Sequence, residues 1–88
     1  MQFGKLPSPF PGMRLWGAVV GRFHFVISLE DGTKLRPEDR EEWIGYTASY
    51  KSYEGRNALP VRIDGRWQTF TEAEQACRDA WRQLRLTN

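Results

Sequence analysis

The sequence predicts an α+β two-layer domain, an antiparallel sheet of three to five strands with one C-terminal helix packed on one face. Three observations carry this. Several short segments alternate apolar and polar residues with a period of two, glycine-centred turns separate them, and residues 73–84 space their apolar side chains as a helix does. A chain of 88 residues is too short for two cores, since each half would fall near the roughly 40-residue limit for unaided folding. One domain over residues 14–88 is therefore expected, preceded by an extended proline-rich arm over residues 1–13.

The arm contains Pro7, Pro9 and Pro11. Alternate prolines remove backbone donors and push their predecessors into extended geometry, so no helix forms there. Phe3, Leu6 and Phe10 give the arm apolar handles. It lies along the domain's own surface or docks on a partner, and the first alternative is favoured.

Arg14 to Val20 and Phe23 to Glu30 are the first two predicted strands, joined as a hairpin by Gly21-Arg22. In the second, Phe23, Phe25, Ile27 and Leu29 take one face and His24, Val26, Ser28 and Glu30 the other. The first is apolar on both faces, which places it inside the sheet rather than at its edge. Asp31-Gly32 marks a turn. Pro37 to Trp43, with Pro at a first helical position and acids beside it, predicts a short helix.

Ile44 to Tyr53 reads as a third strand, with Tyr46, Ala48 and Tyr50 on one side and Thr47, Ser49, Lys51 and Tyr53 on the other. Residues 54–57 turn the chain. Leu59, Val61 and Ile63 alternate with Pro60, Arg62 and Asp64 in a fourth strand, which Pro60 assigns to an edge or a bulge. Asp64-Gly65 then proposes a hairpin into Arg66-Trp67-Gln68. Two loop residues would turn Trp67 outward beside Arg62, and one more would turn it inward beside Ile63; burial of the large ring favours the inward register.

The final segment carries Ala73, Ala76, Cys77, Ala80, Trp81 and Leu84 on one helical stripe and charged residues opposite. Thr71 with Glu74 forms a capping box at its start, with Thr69 and Glu72 as the alternative two residues earlier.

Composition narrows the function. Hydrophobic residues at 40% and charged residues at 27% describe a globular chain, and no stretch approaches the roughly 18 apolar residues of a membrane span or the apolar run of a secretory signal. Thirteen cations against eleven acids leave a net charge of +2, too little for binding duplex DNA through charge alone. Glu38, Asp39, Glu41 and Glu42 against Arg40 make an acidic knob of −3, so the remaining residues carry +5.

Catalytic chemistry finds little footing. Cys77 lies on the helix's apolar stripe, where a packing thiol is expected rather than a nucleophile. A lone His24 on an outer strand face and one cysteine do not make a metal site, and no glycine-rich phosphate loop is present. No enzyme activity, metal or cofactor is expected. A single cysteine fits a reducing, cytoplasmic setting.

Binding surfaces are the better prospect, because Tyr, Trp and Arg supply large rigid area with a polar handle. The chain has twelve aromatic residues and ten Arg, and a core this small is expected to use about half of the rings. The expected binding residues are Trp43, Tyr46, Tyr50, Lys51, Tyr53, Arg56, Arg62 and Arg66. They describe a non-catalytic protein-interaction module that associates with itself through an aromatic sheet face, an edge strand or the N-terminal arm. The alternative is a nucleic-acid-binding domain presenting Arg, Lys and Tyr on the exposed sheet face. In size and composition, though not in any motif, the chain is similar to short products of phages and mobile gene cassettes, some of which inhibit host complexes by binding them.

Overall fold

A computed structural model describes residues 1–9, 11–31, 44–54 and 58–86 of the chain. The expected turn at Asp31-Gly32, the short helix at Pro37 to Trp43 and most of the turn at 54–57 lie outside the described residues. So do two of the expected binding residues, Trp43 and Arg56.

The architecture is a five-stranded antiparallel sheet with one C-terminal helix packed against one side, the expected α+β two-layer arrangement. The strands are β1 (Gly4–Leu6), β2 (Met13–Val20), β3 (Phe23–Asp31), β4 (Ile44–Ser52) and β5 (Val61–Trp67), followed by α1 (Phe70–Leu86). They pair in chain order, β1-β2-β3-β4-β5. β2 is thus an internal strand, as its two apolar faces require.

β2 and β3 join through a two-residue turn, because Val20 pairs with Phe23. Gly21 holds φ at 57° there, a backbone state that side chains with a Cβ resist. The proline-containing N-terminal segment docks on its own domain. Gly4, Lys5 and Leu6 pair with Gly17, Trp16 and Leu15 of β2, and Gly12 bends the chain back at φ 88°. The Asp31 amide donates to the Gly12 carbonyl at 2.9 Å, and the Ser8 hydroxyl donates to the Met13 carbonyl.

β5 differs from expectation. Asp64-Gly65 does not reverse the chain; Val61 to Trp67 is one continuous strand. Ile63 pairs with Ala48 and Trp67 with Tyr46, so β5 spends more residues than β4 over the same distance. Gly65 absorbs the excess as an irregularity, with φ at 129°. Trp67 then folds back over Gly65, where a Cβ would sit 2.9 Å from its Cζ2, and joins the core inward as burial favours.

The helix begins two residues earlier than the Thr71 reading. Thr69 is the N-cap: its hydroxyl oxygen accepts from the Glu72 amide at 3.2 Å and its hydroxyl donates to Glu72 Oε1 at 2.9 Å. The Glu74–Arg78 pair at 3.4 Å lies on the outer side at i,i+4 spacing, contributing only about 0.3–0.5 kcal/mol. Packing contributes far more. Ala73 and Cys77 are fully buried against Phe25 and Ile27 of β3, and each large side chain so buried stabilises by roughly 1.5–3 kcal/mol.

Two groups of rings complete this layer. At the start of the helix, Phe70 contacts Phe3, Trp16 and Tyr46 at centroid distances of 5.9, 5.2 and 6.0 Å. At its end, Phe23 contacts Trp81 at 6.0 Å and Tyr50 at 5.9 Å, and Phe25 meets Tyr50 at 5.5 Å. With Trp67, nine of the twelve aromatic residues pack in or on the core. The core therefore uses more than half of the rings.

Candidate functional site

Strand alternation sorts the sheet into two sides. Phe23, Phe25, Ile27 and Leu29 point to the helix, and so do their register partners Val20, Ala18, Trp16 and Arg14 on β2 and Ser52, Tyr50, Ala48 and Tyr46 on β4. Among the described residues the other side carries no helix. Its rows are Val19, His24 and Lys51; Gly17, Val26, Ser49 and Arg62; Leu15, Ser28 and Thr47; and Met13, Glu30 and Gly45.

The expected binding group is divided by this sorting. Tyr46 and Tyr50 face the helix and pack on the core, so neither is available on the open side, contrary to the expectation of a shared aromatic surface. The reason is phase: both stand opposite the inward-facing Leu29 and Phe25 of β3. Lys51 and Tyr53 do lie on the open side. Tyr53 stacks on His24, centroids 5.9 Å apart and planes within 8°. Arg62 stands at the sheet edge, opposite Ser49 on the open side, while also bordering a groove of about 280 Å³ with Ile63, Ala80 and Leu84. Arg66 is exposed on β5.

The open face has a polarity along the strands. Its hairpin end holds Lys51 and the His24–Tyr53 stack, its other end holds Glu30, and Arg62 stands at the β5 edge of the row next to Lys51. Between them lie Leu15, Val26 and small residues, Gly17, Ser28, Thr47 and Ser49. The hairpin end is tied locally: the Tyr53 amide donates to the Arg22 carbonyl at 2.9 Å, and Arg22 reaches Glu54 at 3.5 Å.

The sequence reading left Leu15, Val26 and Thr47 out of the site. The available signal was the apolar character of both faces in the first strand, which puts Leu15 and Val19 on the side away from the helix.

Burial, with the Glu74 charge as the lesser cause, pushes the Cys77 thiol up from 9.0 to about 12, so it stays protonated at neutral pH. No three His, Cys, Asp or Glu among the described residues stand together to hold a metal ion. No helix among them is long and apolar enough to cross a membrane. No protein-family model matches this chain, and neither a curated protein nor a solved structure matches it.

Proposed function

We propose that the chain is a non-catalytic protein-interaction module that pairs with a second copy of itself through the open face of the sheet. The observation that carries this reading is the composition of that face, apolar and small in its middle rows apart from Arg62 at the β5 edge, basic at the Lys51 end and acidic at the Glu30 end. Strand spacing of about 4.8 Å and a rise of about 3.3 Å per residue make the face roughly 550 Å². Two copies would then bury on the order of 1,100 Å², just above the lower bound for a specific interface.

Charge selects the orientation. A two-fold axis between the sheets and crossing the strands brings the Lys51 end of one copy over the Glu30 end of the other, twice per dimer. The opposite orientation sets like charges together. Small residues in the middle rows permit the roughly 10 Å sheet separation of a sandwich. The single thiol fits a reducing cytoplasm, and the modest size fits an accessory protein of a phage or mobile element.

The test is a charge exchange followed by sedimentation velocity. Lys51→Glu should weaken the dimer about tenfold, and adding Glu30→Lys to that variant should restore it. Equal dimer affinity in all three proteins would remove the assigned orientation.

A second reading has one observation in its favour: Lys51 and the exposed Tyr53 ring stand at one end of the open face, with Arg62 in the adjacent row. Phosphate contacts beside a stacking ring suit single-stranded nucleic acid. Fluorescence anisotropy with a mixed-sequence single strand should then show binding at low salt that falls steeply as salt rises. No binding at low salt would end this reading.

A further inference from the structure

On the helix-facing side, the end of the sheet next to the Trp16 and Tyr46 rows opens into a cleft of about 500 Å³. It is lined by Lys5, Met13, Arg14, Leu29, Asp31 and Ile44, among others. We infer that this cleft binds a small amphipathic carboxylate, its head group held between Lys5 and Arg14 and its aliphatic body lying on Leu29 and Ile44.

The register brings the two cations together. Lys5 stands opposite Trp16, and Arg14 is two residues before Trp16 on the same face of β2, which makes the two side chains diagonal neighbours about 7–8 Å apart at their Cα atoms. Both are exposed, and neither has an ion-pair or hydrogen-bond partner among the described residues. A carboxylate between them accepts from the guanidinium and the ammonium at once, the strong charge-assisted kind of hydrogen bond. Arg14 is also opposite Leu29, so the guanidinium lies over the start of the apolar floor.

That floor distinguishes the cleft from a solvated basic patch. Ile44 is 62% exposed, and Leu29 is only half-buried. An aliphatic chain that covers them gains roughly 25 cal/mol per Å² of apolar surface removed from water. The volume falls in the roughly 300–1,000 Å³ range of small-molecule sites.

The proposal concerns the opposite side of the sheet from the proposed dimer face and does not rest on it. Decanoate titrated into the ¹⁵N-labelled full chain is the probe, with acetate as head group alone and decanol as tail alone. Decanoate should shift the Met13, Arg14, Leu29 and Ile44 amides saturably, with acetate and decanol at least about tenfold weaker. Lys5→Glu and Arg14→Glu, both at exposed positions, should each weaken decanoate about tenfold while leaving distant amide shifts in place. An absence of shifts, equal effects of decanol and decanoate, shifts on other residues, or undiminished binding by both variants would each overturn the assignment.

Discussion

Replacing Gly21 by Ala probes how the hairpin turn and the end of the helix are locked together. A Cβ on Gly21 would sit 2.6 Å from Cη2 of Trp81 and 3.3 Å from Cζ3, inside van der Waals contact. The ring has little freedom to retreat, since it packs edge-on against Phe23 at 6.0 Å and carries the Arg85 guanidinium at 5.5 Å on its other contacts. Two costs therefore combine. Holding Ala at φ 57° costs roughly 1–2 kcal/mol, and displacing a ring whose burial stabilises by roughly 1.5–3 kcal/mol loses about 1–2 of it. The expected destabilisation is about 2–4 kcal/mol, a large share of the roughly 5–15 kcal/mol that holds a small domain. Urea unfolding followed by circular dichroism measures it. In a Trp81→Ala background the clash is gone and only the backbone cost remains, so the double-mutant cycle should show a coupling of about 1–2 kcal/mol. Additive effects, or a single-variant cost under about 1 kcal/mol, would refute the packing of Trp81 over the turn.

Other elements give separate tests. Thr69→Ala should cost about 1 kcal/mol in urea unfolding, whereas Thr71→Ala should stay within about 0.5 kcal/mol, because only Thr69 caps the helix. Cys77 should resist a thiol reagent in the folded protein at neutral pH and react on unfolding. Its folded pKa is raised above the ordinary value, so the stability it contributes is complete below pH 9.0 and declines as pH rises toward about 12; a native thiol that reacts as fast as the unfolded one would contradict its burial. Val26→Glu, in the middle row of the open face, should preserve the circular dichroism spectrum and abolish the dimer, since a carboxylate buried without a partner costs several kcal/mol. A dimer as stable as the native one would take Val26 out of the interface.

Much of the fold was legible because the signals that define it are local. Period-two alternation in Phe23 to Glu30 predicts which side of that strand faces the helix, and the Ala73, Cys77, Ala80, Trp81 spacing predicts the helix face. The misreadings arose where a local signal met a tertiary demand. Asp64-Gly65 is a strong hairpin signal in isolation, yet Trp67 can reach the core beside Tyr46 only if the strand continues through a glycine irregularity. The choice between Thr69 and Thr71 as the cap depends on Phe70, which the helix must include to place its ring between Phe3, Trp16 and Tyr46.

The site was less legible than the fold for the same reason. Surplus aromatic residues looked like contact surface, but the ring clusters that absorb Tyr46 and Tyr50 join residues far apart in sequence, and no periodicity reveals how many rings one helix requires. Lys51, Tyr53 and Arg62 were identifiable by strand phase. Leu15 and Val26, which give the open face its apolar middle, read locally as ordinary strand residues.

Sedimentation equilibrium of the native chain over about 10–500 µM tests the central claim most directly, that the open sheet face joins two copies. The account predicts an average mass that climbs from the 10.3 kDa of one chain toward twice that value, in the micromolar range expected of an interface near the lower size bound. A mass that stays at one chain across the whole range would contradict it.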